Sequence, residues 1–81
     1  MIYENGADVS TTGVLPGGRA YGVVIGDDTT QGAVIEVGNG VSSWHIFLRR
    51  EQGILPVSFT EVLDLGGLVG ITVFHGVRKA Y

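Results

Sequence analysis

The chain has 81 residues, no cysteine and a formal net charge of -3, with 44% hydrophobic and 16% charged residues and a mean hydropathy of +0.33. A chain of this length forms one domain and buries only about 60–65% of the surface its unfolded form exposes, so its core is thin. Disulfides and thiolate zinc sites are excluded for want of cysteine, and an acidic balance argues against a nucleic-acid binder, which needs basic surface to neutralise phosphate.

Residues 1–18 are polar and turn-rich, with Thr11-Thr12-Gly13 and Leu15-Pro16-Gly17-Gly18, and read as an irregular arm leading into a single β-rich domain that spans 1–81. The first strand is expected over 20–25, where Tyr21, Val23 and Ile25 alternate with Ala20, Gly22 and Val24. A polar loop over 26–32 precedes a second strand over 33–37. Gly38-Asn39-Gly40 then signals a hairpin, because Asn and Gly tolerate the positive φ of tight turns. The return strand, 41–48, carries Trp44, Ile46 and Leu48 on its core face and Ser43, His45 and Phe47 on the other, with Arg49 continuing that face.

A charged turn at 49–53 leads to Pro56, which lacks a ladder donor and marks an edge or a bend. Two readings compete over 59–65. Ser58 and Glu61 have capping-box spacing and Gly66-Gly67 would stop a short helix, while an extended crossing suits the apolar content equally. The last clear strand is 68–74, closed at Gly76. These elements predict a mainly β fold, a small antiparallel barrel or sandwich of four to five strands, with one short helical turn as the open alternative.

The polar groups that could support chemistry are Ser58, His45, His75, Asp27, Asp28, Asp64, Glu36 and Glu61, and none lies in a nucleophile-elbow, phosphate-loop or zincin motif. Two histidines alone do not complete a four-ligand zinc site, and Asp27-Asp28-Thr29-Thr30 lacks the acidic ladder of a calcium loop, so no metal or cofactor is expected. The acidic loop reads as a self-capping turn and Gly17-Gly18-Arg19 as a tight turn. Arg49-Arg50 and Arg78-Lys79 read as solvated faces or ion pairs. The longest nearly apolar stretch, 65–74, is half the length a membrane helix needs, about 20 residues. The opening Met1-Ile2-Tyr3-Glu4-Asn5-Gly6 lacks the basic end and apolar run of a secretory signal, which implies synthesis in the cytoplasm.

A thin core without disulfide or metal leaves association with other chains as the stabilising device. Charged residues stand well below the usual fraction of about 25%, which leaves weakly polar surface that suits a protein interface. The predicted core is Trp44, Ile46, Leu48, Val23, Ile25, Ile35 and Val37. Phe47, on the opposite face, is then surplus, and so is part of the set Leu65, Leu68, Val69, Ile71, Val73 and Phe74. The expected interface residues are Phe47, Leu65, Leu68, Val69, Phe74 and the amphipathic C-terminal Tyr81.

In its lack of cysteine, few charges and glycine-punctuated strands such as Ser43-Trp44-His45-Ile46-Phe47 and Leu65-Gly66-Gly67-Leu68-Val69-Gly70, the chain resembles the small β-rich accessory proteins of tailed-phage virions, the capsid cement or decoration class. That resemblance implies a non-enzymatic virion component: a symmetric homo-oligomer, often a trimer, clamped over joints between coat subunits. Two other classes compete with it. One is a small peptide- or sugar-binding module, which needs an aromatic patch around Phe47, His45 and Tyr21. The other is a subunit of a different homomeric ring or tube.

Overall fold

The structure is a computed structural model and describes residues 2–27 and 30–79. In chain order it contains β1 (Ile2–Val9), β2 (Gly13–Val14), β3 (Gly22–Ile25), β4 (Gly32–Gly38), β5 (Ser43–Arg49), a 3₁₀ turn (Arg50–Gln52), β6 (Glu61–Asp64) and β7 (Ile71–Arg78). All strand pairs are antiparallel and make two sheets, ordered β1-β7-β3 and β2-β6-β4-β5. The fold is thus mainly β. Among the described residues the two sheets share no ladder and no barrel closes.

The alternation of β-branched residues builds both inner faces. Val23, Ile25, Ile71 and Val73 come from the first sheet, and Ile35, Val37, Leu48 and Val62 from the second. They meet in one buried cluster with Leu15, Ala20, Phe59 and Leu68, while Trp44, Ile46 and Leu65 are half-buried against it. The shortest dimension of the molecule is 18 Å, which suits two layers about 10 Å apart.

The hairpin over 33–48 forms as its alternation and turn chemistry predict. Pairing runs from Gly32↔Arg49 to Gly38↔Ser43, and Gly40 takes the positive φ, 89°, that closes the turn. Asn39 caps this turn through Oδ1, which accepts from the amides of Val41 and Ser42 at 3.0 and 2.8 Å.

Elsewhere the structure corrects the sequence reading. The arm expected over 1–18 instead contains two strands: β1 pairs along β7 from Ile2↔Arg78 to Val9↔Ile71, and β2 pairs with β6. With these strands and β6, seven stand where four to five were expected. The helix weighed over 59–65 is absent and β6 lies there instead. The capping-box pair is employed elsewhere: Ser58 Oγ accepts from Arg19 Nη1 at 2.9 Å, and Glu61 Oε1 accepts from the Gly40 amide at 3.2 Å. Phe59 and Ala20 exchange backbone hydrogen bonds, which drives the Phe59 ring into the centre of the core. The only 3₁₀ turn among the described residues falls on the charged segment Arg50–Gln52.

Candidate interaction surface

The outer face of the β2-β6-β4-β5 sheet carries the most coherent exposed apolar feature. Within the β4–β5 pair, Ile35, Val37 and Leu48 turn to the core, so Val34 and Phe47, directly opposite each other, must turn outward. The Phe47 ring lies over Gly32: a Cβ there would stand 3.4 Å from the ring's Cε1 and Cζ. The Arg49 guanidinium carbon is 4.9 Å from the ring centroid, a cation–π distance. Leu63 adds to this face from β6, its Cδ1 reaching 3.3 Å from where a Gly38 Cβ would be. Phe47, Val34 and Leu63 are 48%, 46% and 45% exposed.

The flanks of this apolar centre are polar and of opposite sign. Arg49 stands at one end of the β4–β5 ladder, opposite Gly32. Toward the hairpin turn Glu36 faces His45, and Glu36 Oε2 accepts from Ser43 Oγ at 2.9 Å.

The residues expected at an interface do not converge on one patch. Phe47 lies on the outer face just described. Val69, 77% exposed, sits in the turn before β7. Leu68 is a correction: it is 7% exposed and belongs to the core, because the turn closed by its amide to the Leu65 carbonyl at 3.0 Å folds it inward. Leu65 is half-buried against the same core. Phe74 is half-buried with its ring 5.8 Å from that of Tyr3, which β1 brings alongside. Of the apolar set over 65–74, part of which was expected to be surplus, Ile71 and Val73 join the core, since β7 is the central strand of its sheet. Tyr81 lies outside the described residues.

Val34 and Leu63 are the members of the surface that sequence reasoning missed. For Val34 the signal was present, because a turn at Gly38-Asn39-Gly40 places it opposite Phe47. Leu63 became an outward strand residue only once the helical reading failed.

Several of the ionisable candidates are held in structural contacts. Arg50 clamps the loop after β3. Its Nε donates to the Thr30 carbonyl at 2.9 Å, its Nη2 donates to the Asp27 carbonyl, and the same nitrogen is 3.1 Å from Asp27 Oδ1. Asp27 in turn accepts from the Thr30 amide and hydroxyl at 2.7 and 2.8 Å. Asp28 lies outside the described residues. Arg78 pairs with Glu4 at 2.6 Å, and Asp64 Oδ1 accepts from the Gly66 amide at 2.7 Å. Among the described residues no cluster of three or more His, Cys, Asp or Glu is placed to hold a metal ion. A shallow cleft of about 160 Å³ follows the bend from β1 to β2, lined by the contiguous segment 8–16 and its hydroxyls Ser10, Thr11 and Thr12. Set against protein-family models, curated proteins and solved structures, the chain matches none.

Proposed function

We propose that this chain is a non-enzymatic structural protein that acts by assembling with copies of itself and with a larger protein particle, in the manner of a virion cement or decoration protein, and that its two sheets form a small β sandwich. The observation that carries the reading is the outer face of the β2-β6-β4-β5 sheet, where Phe47 and Val34 stand directly opposite each other and half exposed, with Leu63 on the same face beside Gly38. Side chains that are already half-buried gain roughly half of the 1.5–3 kcal/mol of complete burial when a partner covers them. Summed over the face, that is an appreciable share of the stability expected of 81 residues. The charge pattern suits a protein partner too, with an apolar centre and a polar rim.

The binding-module reading required Tyr21 to join Phe47 and His45. Tyr21 instead leads into β3, its amide bonded to the Phe74 carbonyl at 2.8 Å, and so belongs to the other sheet.

The assembly reading is tested by thermal unfolding at protein concentrations from about 1 to 100 μM. Mass action makes Tm rise with concentration when folding is linked to association. A Tm independent of concentration over that range would count against self-assembly as the stabilising device.

A further inference from the structure

The two sheets have four edges, β1 and β3 on one and β2 and β5 on the other. Three of them are protected. The β1 ladder is interrupted at Asn5, whose φ of 58° bends the strand, and the outward-running β1 carries Glu4 and Asp8. The far side of β3 is already bonded: Val23 and Leu55 exchange backbone hydrogen bonds of 3.1 and 2.8 Å. β2 is only two residues long. Bends, charges, cover and short length are the ordinary devices that prevent edge pairing.

β5 is neither bent, nor short, nor covered by backbone bonds among the described residues, and its one formal charge, Arg49, stands at its end. It runs seven residues without proline, glycine or bulge, in unbroken register with β4. The phase of its hydrogen bonds follows from the flanking contacts. The Arg50 amide donates to the Gln31 carbonyl and the Asn39 amide to the Ser42 carbonyl, both continuing the β4–β5 register. Bonded pairs alternate in an antiparallel ladder, so Trp44, Ile46 and Leu48 point their backbone groups at β4. Ser43, His45, Phe47 and Arg49 therefore turn amides and carbonyls to the open side, where nothing among the described residues answers them.

We propose that β5 is the edge at which two copies of this chain join, antiparallel about a two-fold axis at Ile46, so that their two four-stranded sheets become one. This identifies the partner strand for the assembly reading above and rests on it. In that register Ser43 pairs with Arg49 of the second copy and His45 with its Phe47, so every outward backbone group on both strands is used. The contact is isologous, as a two-fold demands. Charge favours a second copy over an arbitrary strand: Arg49 of each copy arrives beside the Ser43 hydroxyl that holds Glu36 of the other. The two outer faces also become continuous, bringing both Phe47–Val34 pairs onto one surface. The resulting unit is a dimer, not the trimer that the family resemblance implies.

The test is native mass spectrometry of the full chain, with residue-resolved amide exchange. The parent should run at about 17 kDa, twice its 8.5 kDa. His45→Pro removes an outward amide without touching the β4 ladder and should raise the dissociation constant at least about tenfold, while His45→Ala should not. Arg49→Glu should weaken the dimer and Arg49→Glu with Glu36→Arg should restore it. Should His45→Pro fail to fold, exchange in the parent decides. The amides of His45 and Phe47 should slow with rising concentration, and those of Glu4 and Asp8 should not. A trimer, or an oligomer lost in Phe47→Ser yet indifferent to His45→Pro and unprotected along β5, overturns the edge contact and leaves assembly through the outer face standing. Protection of β5 only by an added extended peptide also overturns it. A parent that stays monomeric at every concentration overturns the edge contact and self-assembly together.

Discussion

The ring of His75 occupies the place where Gly17 would carry a side chain: a Cβ on Gly17 would lie 2.7 Å from Nε2 and 2.9 Å from Cδ2. The same ring bonds through Nδ1 to the Arg19 carbonyl at 3.1 Å, and because a carbonyl only accepts, Nδ1 carries a proton. One side chain of β7 thereby fastens the loop before β3. Gly17→Ala should destabilise by about 1–3 kcal/mol through overpacking. Its backbone is not in the left-handed region, so the whole effect should be steric, and in a His75→Ala background the loss should largely vanish. Urea denaturation of the four members of this cycle measures it.

Arg50 makes a corresponding clamp on the loop after β3. Its contacts with Asp27 and Thr30 need a planar fork reaching three oxygens, which a lysine cannot reproduce. Arg50→Lys and Arg50→Met should both lose about 1–3 kcal/mol, the range of hydrogen bonds to charged groups, with little difference between them. Full recovery by lysine in chemical denaturation would show that charge alone matters.

The adjacent glycines 66 and 67 should respond differently. Both have positive φ, 62° and 86°, but a Cβ on Gly66 would lie 2.0 Å from the Val34 carbonyl oxygen, while Gly67 faces open space. Gly67→Asn should cost about 1 kcal/mol or less. Gly66→Ala should cost about 3 kcal/mol or more, because the β4 backbone cannot yield without breaking its ladder. Soluble yield and midpoint of unfolding separate the two.

Phe59 is buried completely at the junction of the two sheets, whereas Leu63, four residues on, faces outward. At dilutions where the chain is monomeric, Phe59→Ala should destabilise by about 3–5 kcal/mol and leave little folded protein, while Leu63→Ala should stay within about 1 kcal/mol of the parent. Circular dichroism during thermal unfolding distinguishes them.

What the sequence made legible was local. The β4–β5 hairpin is written in period-two alternation around Asn39-Gly40, so its register and the outward position of Phe47 could be read directly. β1 could not, because its apolar residues are sparse, Asn5-Gly6 interrupts them, and the partner that orders it is β7, at the other end of the chain. β6 was obscured by Ser58 and Glu61, whose helix-cap spacing is coincidental once Arg19 and Gly40 claim their oxygens. The surplus expected within 65–74 was overestimated for the same reason: with β1 and β3 on its two flanks, β7 is a central strand whose Ile71 and Val73 face the core. Long-range pairing decided each of these outcomes, and it leaves no short-range mark.

Sedimentation velocity of the parent and of Phe47→Ser, compared across a dilution series, tests the assembly claim most directly. Phe47 is exposed in the single chain, so its replacement should leave circular dichroism intact. The parent should sediment as an oligomer of the 8.5 kDa chain and dissociate on dilution, and Phe47→Ser should be monomeric where the parent is not. Identical monomers for both at every concentration would contradict self-assembly.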